Sequence, residues 1–459
     1  MAIKEDTQLD ILTLNCWGLK YLAKHRRARL AEIGAQIGSR SPPPSIVGLQ
    51  ECWTQEDYQS IRHQTKDVLP YGKFYYSGIF GGGLAILSKW PIEESSMVRY
   101  PLNGRPTAFF RGDWFVGKGV ACARIRTGSS RQDVVEVFCT HLHAPYEREP
   151  HDSYLCHRTA QAWEIAKMMR GAAERGHLVV GLGDFNMLPL SLAHQLITTH
   201  APVQDAWRVV HPDSAIGAAI DDAEQRRGRD VPSASFNLAE NGATCDSILN
   251  TWRWNKGQQR KLGRGYDILI DPTTPDPRAK RLDYIFVGQD PASRLPWTIH
   301  DVRVGMTERH PRLKCSLSDH FSVEASLCRS PTADQPPRST SPHSVSSPSS
   351  PPLSLLPRAT YDEIMDIIRI YSLRQRRQRK LRVAHCLVQF VLAVACLVAV
   401  WWSPHNYVAF LLMLLCAVGL VAGVLDGLIG GLFVSSELRA LKEFAWEIRA
   451  ARDTVGPSP

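Results

Sequence analysis

Five short polar segments, widely separated along the chain, carry residue types that together suit the cleavage of a phosphodiester. Hydrolysis of such a bond requires a cation on the phosphoryl oxygens, a deprotonated water and assistance for the departing alkoxide. Carboxylates, amides and imidazoles can supply these groups. The segments are LNCWGL, GLQECW, CTHLHA, GLGDFNMLP and SLSDHFSVE, and their chemically capable residues are Asn15, Glu51, His141, Asp184, Asn186, Asp319 and His320.

Two of these segments place oxygen ligands at the ends of apolar runs. Glu51 ends the run SIVGLQE, and its carboxylate suits Mg²⁺, which keeps several waters and needs only one or two protein carboxylates. Asp184 and Asn186 follow LVVGL, where an acid two residues from an amide can orient a water and a phosphate oxygen together. Taken alone, Glu51 is equally typical of a surface salt bridge, and Asp184 of an Asx turn.

Histidines supply the groups that can move protons. His141 and His143 alternate along CTHLHA and share one face of a strand, so at least one can donate to a phosphate. The participation of His143 stays open. His320 is a base candidate because imidazole titrates near neutral pH. Its second nitrogen needs an acceptor, and Asp283 in RLDYIF is the candidate.

Alternating strand-like and helix-like segments between Leu9 and about Leu327 must position these residues. Apolar runs such as LDILTLN, SIVGLQE and HLVVGLGDFN predict strands, whereas KHRRARLAEIGAQIG and the segment Ser153–Glu174 have helical spacing. Helices and strands mixed in this way predict a layered α/β sandwich. The polar, Gly- and Pro-rich span 212–280 is predicted to form loops that carry recognition surface.

The rest of the chain has a different composition. A Ser/Pro-rich segment that begins at Arg329 is too poor in apolar residues to fold and predicts a flexible linker. A helix is predicted over Tyr361–Arg382, with densely basic last turns. The segments Val383–Trp402 and Tyr407–Leu425 are each long enough to span a bilayer core of about 30 Å. The short SPHN turn between them predicts a helical hairpin, with a buried pair of globular helices as the alternative.

Charge predicts the orientation of this hairpin. The basic stretch precedes the first apolar segment, so the positive-inside rule places the catalytic domain in the cytosol of a two-span membrane protein. Which membrane holds the protein stays open, and the candidates are the endoplasmic reticulum, the plasma membrane and the mitochondrion. Asp426 is expected to mark the inner membrane boundary, without an ionisable partner inside the membrane.

Composition narrows the class of partners and the compartment. The net charge of +9 is concentrated in the basic stretch, so it is weak evidence for nucleic-acid binding, and no nucleic-acid partner is predicted. Eleven cysteines without a CxxC pair fit a reducing, cytosolic environment. The predicted parts are a catalytic phosphodiesterase domain (1–328), a Ser/Pro-rich linker (329–358), a basic juxtamembrane helix (359–382), two transmembrane helices (383–434) and a C-terminal tail (435–459).

As a set, the five segments resemble the endonuclease/exonuclease/phosphatase superfamily. Within it, the chain is most similar to the membrane-bound neutral sphingomyelinases, especially the fungal inositol phosphosphingolipid phospholipases C. This closer resemblance rests on THLHAPY, GATCDSILNTWR and GDWFVGKGV, together with the C-terminal hairpin. It implies a two-sheet α/β sandwich, Mg²⁺ as cofactor and a phosphoric diester hydrolase activity.

The resemblance also implies roles for individual residues. Whether Asp184 or His320 deprotonates the water stays open. The favoured interpretation is that His320 does so, with its ring oriented by Asp283. Asp113 and Lys118 in GDWFVGKG match a regulatory element of the family, with a surface Asp and Lys flanking a strand as the alternative. The implied metal ligands are Glu51, Asn15 and Asp319, the phosphate contact is Asn186, and the catalytic groups are His320, Asp283, His141 and Asp184.

The resulting expectation is a Mg²⁺-dependent phospholipase C that hydrolyses sphingomyelin or inositol phosphosphingolipids to ceramide and a phosphorylated head group. A membrane sphingolipid is the expected substrate, and anionic phospholipids are expected at the basic juxtamembrane segment. The alternatives are a nuclease or an inositol-polyphosphate phosphatase of the same fold, and a membrane-tethered lipid sensor without chemistry. Head group and oligomeric state stay open.

Overall fold

Two compact units make up the chain in the computed structural model, which describes residues 8–130, 133–147, 151–289, 296–329 and 355–455. One unit, called here the sandwich unit, consists of Met1–Tyr100, Phe115–Glu149 and Gln161–Leu355. The other, called the helical unit, consists of Pro101–Trp114, Pro150–Ala160 and Leu356–Pro459.

Twelve strands form the two sheets of the sandwich unit, so the predicted two-sheet α/β sandwich is confirmed among the described residues. The strands are β1 (Gln8–Asn15), β2 (Ile46–Gln50), β3 (Tyr71–Tyr75), β4 (Leu84–Ser88), β5 (Ile92–Arg99), β6 (Gly119–Arg126), β7 (Val134–His141), β8 (Leu178–Asp184), β9 (Val203–Asp205), β10 (Asp283–Gly288), β11 (Trp297–Gly305) and β12 (Ser322–Arg329). The first sheet has the order β11-β12-β1-β2-β4-β3, and the second has the order β5-β6-β7-β8-β10-β9.

Helices lie between these strands and after them. In chain order they are α1 (Arg26–Gly38), α2 (Gln55–Thr65), α3 (Asp113–Val116), α4 (Leu155–Glu174), α5 (Leu192–His200), α6 (Ala206–Val210), α7 (Asp222–Gln225), α8 (Ala234–Ala239), α9 (Lys256–Gly263), α10 (Arg358–Ala399), α11 (Asn406–Leu428) and α12 (Val434–Thr454). Short 3-10 segments occupy Phe109–Arg111, Thr251–Arg253 and Val400–Trp402, and a π-helical segment occupies Ile429–Phe433.

The core of the sandwich lies between the facing surfaces of the two sheets. Gly48 of β2 is required there, because a Cβ atom at this position would lie 1.9 Å from Leu182 Cδ1 of the opposite sheet. Removal of apolar side chains from water on both inner faces is the main source of stability for such a layered fold. Buried side chains from both sheets include Leu9, Ile11, Ile46, Ile86, Val137, Val180, Leu182 and Ile285.

A second core covers the outer face of the first sheet. Leu30, Ile33 and Ile37 recur every three or four residues along α1, so they form one apolar face of that helix. This face is part of a cluster that also contains Ile61 of α2 and Leu14 of β1. The helical spacing read from the sequence therefore places α1 against the sheet.

The span 212–280 is not composed of loops alone, so that prediction was wrong in part. It contains α7, α8 and α9, each of four to eight residues. Polar N-caps explain two of these short helices: Ser233 accepts from Phe236 N–H, and Asn255 forms a reciprocal capping box with Gln258.

In the helical unit, the predicted basic helix and the first apolar segment form one uninterrupted helix, α10, of 42 residues. The helical segments Arg358–Trp402 and Asn406–Thr454 are long and apolar enough to cross a membrane, with windows of mean hydropathy 2.5 and 2.9. Beyond the second apolar stretch the chain continues as helix α12, up to Thr454. The predicted Ser/Pro-rich linker lies outside the described residues between 330 and 354.

Glycines allow α10 and α11 to pack closely. Gly419, Gly423 and Gly427 recur every four residues on α11. A Cβ atom at Gly423 would lie 2.6 Å from the Cβ of Gln389, and one at Gly427 would lie 2.6 Å from Cys386 Sγ. Such small residues every fourth position are typical of close helix packing in membranes.

Asp426 has an arginine and a histidine of α10 as neighbours, so the expectation that it lacks an ionisable partner was wrong. Arg382 donates to one of its carboxylate oxygens, and His385 Nδ1 lies 2.8 Å from the other. The helical hairpin brings these residues together although more than 40 positions separate them in the sequence. This separation explains why the sequence pattern did not reveal the pair.

Candidate active site

The predicted site residues lie where strands end at one edge of the sandwich. The parallel strands β1 and β2 end side by side, with Asn15 opposite Gln50, just before Glu51. The parallel strands β7 and β8 likewise end with His141 opposite Asp184. The antiparallel strand β10 begins at this edge, where Asp283 pairs with Asp184. Residues distant in sequence are therefore brought together by the register of the sheets.

One amide links two of the acids. Asn15 Nδ2 donates to Glu51 Oε1 at 3.1 Å and to Asp184 Oδ2 at 3.0 Å. Its own Oδ1 accepts from the backbone N–H of Trp17 at 3.0 Å, which fixes the orientation of the amide. The side-chain amide of Asn15 is thus hydrogen-bonded to one carboxylate from each sheet.

A histidine–acid pair faces this group. His320 Nδ1 and Asp283 Oδ2 lie 2.8 Å apart, as predicted for an imidazole held by an acceptor. The other ring nitrogen of His320, Nε2, lies 4.0 Å from Asp184 Oδ2. With Nδ1 held by the acid, Nε2 is the nitrogen that can exchange a proton with a water or a substrate.

His141 and Asn186 complete the inner part of the site. His141 Nε2 lies 3.4 Å from Asp184 Oδ2. The backbone N–H of Asn186 donates to Asp184 Oδ1 at 2.9 Å, and its side-chain amide donates to the Leu142 carbonyl at 3.2 Å. Asp184 is therefore the residue on which Asn15, His141, Asn186 and His320 converge.

Two site residues have positive φ angles, a backbone conformation that residues other than glycine rarely adopt. Glu51 has φ of 53° and Asn186 has φ of 45°. The left-handed region costs free energy for non-glycine residues and is found preferentially at functional positions. At Glu51 the unusual conformation comes directly after the last residue of β2, so it turns the carboxylate out of the strand.

Burial and mutual repulsion disturb the proton affinities of these acids. Burial, followed by the nearby carboxylate of Asp319, raises the pKa of Glu51. Burial, followed by the carboxylate of Asp283, raises the pKa of Asp184 to about 7. Both shifts come first from burial, and repulsion between neighbouring carboxylates adds to it.

The two histidines shift in opposite directions. Burial would lower the pKa of His320, but the charge and the hydrogen bond of the Asp283 carboxylate, together with Cys245, outweigh burial and hold that pKa well above the ordinary value. Burial lowers the pKa of His141 well below the ordinary value, and the charges of Lys118 and His320 lower it further. At neutral pH His141 is therefore a neutral hydrogen-bonding group, whereas the imidazolium form of His320 is favoured, so that nearby positive charge is needed to return its ring to the neutral form that can accept a proton.

The donor set fits a hard divalent cation. Carboxylate oxygens of Asp184 and Asp283 and a ring nitrogen of His320 lie within 4.8 Å of one another. The hydrogen bond between Asp283 and His320 engages one ligand atom of each, which suits proton transfer more than metal binding. Glu51 is half-buried and offers two hard oxygens of the kind that Mg²⁺ prefers; Oε1 accepts from the Asn15 amide at 3.1 Å, and Oε2 accepts from Trp53 Nε1 at 3.5 Å.

The remaining predicted residues differ in burial and in their partners. Asp319 is half-buried and accepts from Ser318 Oγ at 3.3 Å, and it acts on Glu51 through its charge. Lys118 is buried and donates to the Leu142 carbonyl at 3.2 Å, close enough to lower the pKa of both Glu51 and His141. Asp113 is buried at the start of α3, in the helical unit. His143 is fully buried and its charge also lowers the pKa of His141.

The segment GATCDSILNTWR supports the His320 loop, a role that residue chemistry alone did not reveal. Asn250 Nδ2 donates to the Ser318 carbonyl at 3.0 Å, and Trp252 Nε1 donates to the Ser316 carbonyl at 2.9 Å. The backbone N–H of Phe321 donates to the Thr244 carbonyl at 2.9 Å. The only signal in the sequence was the motif as a whole, because these bonds use ordinary polar groups and backbone atoms.

A family model matches most of this chain. Residues 12–320 match the model described as the endonuclease/exonuclease/phosphatase family. The matched range contains every strand from β2 to β11 and every residue at the edge described above.

Individual proteins of known name are also similar. The inositol phosphosphingolipids phospholipase C of Schizosaccharomyces pombe is 36% identical over 458 residues, which cover 98% of this chain and 95% of the relative. The sphingomyelin phosphodiesterase 2 of Homo sapiens is 37% identical over 200 residues, or 44% of this chain and 46% of the relative. Among solved structures, the sphingomyelinase C of Streptomyces griseocarneus has a TM-score of 0.43 and 18% identity, covering 70% of this chain and 99% of that one.

Proposed function

We propose that this chain, which belongs to the endonuclease/exonuclease/phosphatase family and is a phosphodiester hydrolase, is a Mg²⁺-dependent phospholipase C for sphingophospholipids. Its products would be ceramide and a phosphorylated head group. The observation that carries the proposal is the edge where Asn15 joins Glu51 to Asp184, opposite the His320–Asp283 pair. Similarity to a phospholipase C over nearly the full chain, including the C-terminal helices, supports the choice of lipid substrate.

Glu51 would hold the cation, with Asn15 beside it and Asp319 on the outer side. When bound, Mg²⁺ supplies Lewis acidity at the phosphoryl oxygens and positive charge that favours the neutral form of a nearby imidazole. The excess of buried carboxylates is the feature of this chain that supports a divalent ion. Each acid repels the others until a cation is present.

His320 would take the proton from the attacking water. Its Nδ1 is held by Asp283, so Nε2 is directed to the reacting water and the resulting imidazolium is stabilised by the adjacent carboxylate. Asp184, 4.0 Å from Nε2, would orient the water by accepting a hydrogen bond from the O–H that the water keeps. In this mechanism His320 would be the base, and Asp184 would orient the water.

Asn186 and His141 would contact the phosphate and assist the departing oxygen. The amide of Asn186 is anchored on the Leu142 carbonyl, and neutral His141 can donate one hydrogen bond without a charge of its own. Lys118, on the same carbonyl, would adjust the electrostatics of Glu51 and His141, and a regulatory role for Lys118 and for Asp113 stays a prediction from the sequence.

The apolar helices would hold the enzyme on its substrate. We assign two membrane spans to the hairpin, with the basic end of α10 and the catalytic domain in the cytosol. Anionic phospholipids would occupy a groove of about 2010 Å³ between α10 and α12. The groove combines cationic side chains with an apolar floor, and among its lining residues are Arg376, Arg377, Lys380, Arg439, Leu441 and Trp446.

A reaction with two sphingolipids tests the activity and its head-group preference. The purified full chain in vesicles with Mg²⁺ is expected to release ceramide from sphingomyelin, from inositol phosphoceramide, or from both. Glu51→Ala and His320→Ala are expected to abolish this release. Undiminished turnover by either folded variant would contradict the site assignment.

A parallel assay separates the alternatives of the same fold. The same preparation is offered supercoiled DNA and a soluble inositol polyphosphate. Nicked DNA or free phosphate, without ceramide release, would replace the phospholipase proposal by a nuclease or a phosphatase. Binding of lipid head groups without turnover would indicate a sensor.

A further inference from the structure

A loop of the helical unit presents two adjacent phenylalanines to solvent. Phe109 is 61% exposed and Phe110 is fully exposed, and their rings meet edge to face with centroids 5.9 Å apart. Both belong to the segment Pro101–Trp114. Two neighbouring aromatic rings in water cost free energy, because each keeps a large apolar surface hydrated.

Local structure fixes this aromatic tip, so its exposure is built into the loop. The backbone N–H of Ala108 donates to the Arg105 carbonyl at 3.0 Å, and that of Gly112 donates to the Phe109 carbonyl at 3.1 Å. Arg111 Nη1 donates to Ser153 Oγ at 2.9 Å, and its guanidinium lies 5.4 Å from the centre of the Tyr154 ring. The base of the loop is buried, with Leu102, Arg105 and Asp113 as its most enclosed side chains.

An aromatic stack places the loop at the end of the second apolar helix. The rings of Trp114 and Phe433 are stacked, with centroids 4.5 Å apart and an interplanar angle of 29°. Phe433 closes the π-helical segment that follows α11, just before the polar residues of α12.

The basic stretch in the middle of α10 ends at the same level. A Cβ atom at Gly430 would approach Arg382 Cβ to 3.0 Å, and Arg382 is the last basic residue before the first apolar stretch. The loop is therefore attached where the apolar stretches give way to charged ones. In a spanning hairpin this level corresponds to the water–lipid interface.

We propose that the Phe109–Phe110 tip inserts into the interfacial region of the bilayer that carries the hairpin. The inference rests on the membrane attachment proposed above, and it adds a third membrane contact outside the two spans. The bilayer is the occupant that the geometry favours, because the tip is fixed to the end of a span through Trp114 and Phe433. Insertion removes the two rings from water without moving the rest of the loop.

Photocrosslinking at residue 110 tests the insertion directly. The full chain carrying p-benzoylphenylalanine in place of Phe110 is placed in phosphatidylcholine/phosphatidylserine vesicles and irradiated. The matched control carries the same group in place of Leu269, which is 86% exposed in the sandwich unit. Lipid adducts, detected by mass spectrometry, are expected at position 110 and not at 269. Adducts at 110 to protein only, or equal lipid adducts at both positions, would overturn the inference.

Flotation separates this inference from the attachment and from the activity. The crosslinking is repeated in a His320→Ala chain, so a failure of catalysis leaves the readout intact. A chain that floats with the vesicles but gives no lipid adduct at 110 retains the proposed attachment and refutes insertion. A chain that does not float refutes both.

An activity comparison provides the second readout. Phe109→Ser/Phe110→Ser is expected to lower turnover of vesicle substrate about tenfold, from the transfer free energy of one to two partly inserted rings. Turnover of a short-chain, water-soluble substrate should stay unchanged, and Phe109→Leu/Phe110→Leu should retain most vesicle activity. Equal losses on both substrates would assign the phenylalanines to folding and overturn the inference.

Discussion

Asp184 of the sandwich unit and Asp426 of the helical unit are both acids close to histidine, but their charge environments differ. Asp184 shares its surroundings with the acids Glu51 and Asp283, and its pKa is raised to about 7. Asp426 accepts from Arg382 and lies 2.8 Å from His385 Nδ1. The first group has an excess of negative charge, whereas the second is balanced within the protein.

This difference in charge balance distinguishes a functional cluster of acids from a structural one. Burying several carboxylates together costs free energy, and a fold retains such a group when an external cation completes it. A balanced pair between two apolar helices needs no further partner and fixes the packing of the helices. Each of the substitutions that follow can refute this distinction.

The largest effect is expected for His320→Ala, in the group with excess negative charge. Loss of the base should lower turnover about a thousandfold, the middle of the range for general base catalysis. The measurement is ceramide release from vesicles by the folded variant, with circular dichroism as the check on folding. His211→Ala removes a half-buried histidine paired with Glu240 in the same unit and serves as control. A loss smaller than tenfold for His320→Ala would contradict its role as base.

Glu51→Gln should weaken the cation site itself. Replacing the carboxylate by an isosteric amide is expected to lower activity about a hundredfold at limiting Mg²⁺, with partial recovery at high Mg²⁺. Calorimetric titration of Mg²⁺ and its removal by EDTA measure the affinity. The control is Glu56→Gln, an exposed acid on α2 paired with Arg27.

The same titration has a defined pH dependence. Because the pKa of Asp184 is raised to about 7, the site binds protons in competition with the cation. Affinity for Mg²⁺ should therefore fall as the pH is lowered below about 7 and level off above it. An affinity that is independent of pH between about 6 and 8 would mean that protonation of Asp184 does not compete with the cation.

A balanced acid inside the sandwich unit extends the comparison. Asp205 accepts from Arg281 Nη1 at 3.0 Å, lies 3.1 Å from His194 Nε2 and caps Trp207 N–H. Burial would raise its pKa, but Arg281 and His194 together outweigh burial, and the pKa of Asp205 is lowered. A lowered folded-state pKa stabilises the protein above the unfolded value of about 3.9, and this contribution is lost as the pH falls through the folded value.

Asp205→Asn should therefore lower the free energy of unfolding by about 2 kcal/mol at pH 7, with catalysis per folded molecule unchanged. The difference from the wild type should shrink below about pH 4, where the wild-type acid is also protonated. Urea unfolding of the detergent-solubilised chain at both pH values measures this change. Asp213→Asn, at an exposed acid, is the control. A constant difference at all pH values would show that charge is not the cause.

Asp426→Asn is expected to have the smallest effect. Loss of the charge should destabilise the hairpin by about 1 kcal/mol, the usual size of an interhelical polar contact in a membrane. Turnover of a water-soluble substrate should stay at the wild-type level. Unfolding in mixed micelles measures the change, with the exposed Asp453→Asn on α12 as control. A tenfold loss of turnover would make Asp426 part of the function and break the comparison.

The strands and the long helices could be predicted from the sequence because apolar periodicity decides them. Runs such as HLVVGLGDFN and the spacing of α1 lie where the periodicity placed them. The pairing of His320 with Asp283 also followed from chemistry, because a basic imidazole needs an acceptor. In contrast, Asp426 with His385 and the Trp114–Phe433 stack depend on how distant segments pack. Neither pair leaves a periodic signal, and each needs three-dimensional coordinates to be found.

Helix α10 has a mechanical consequence. It runs from Arg358 to Ala399 without a proline or glycine, which are the usual causes of a kink. In the two-span arrangement proposed above, the part of α10 outside the membrane, about 25 residues, would be a stiff lever of about 37 Å. A bilayer of different thickness changes the tilt of a span, and a tilt of about 10° would move the end of this lever by about 6 Å. Membrane thickness thereby becomes a physical variable that sets the position of the chain at Arg358.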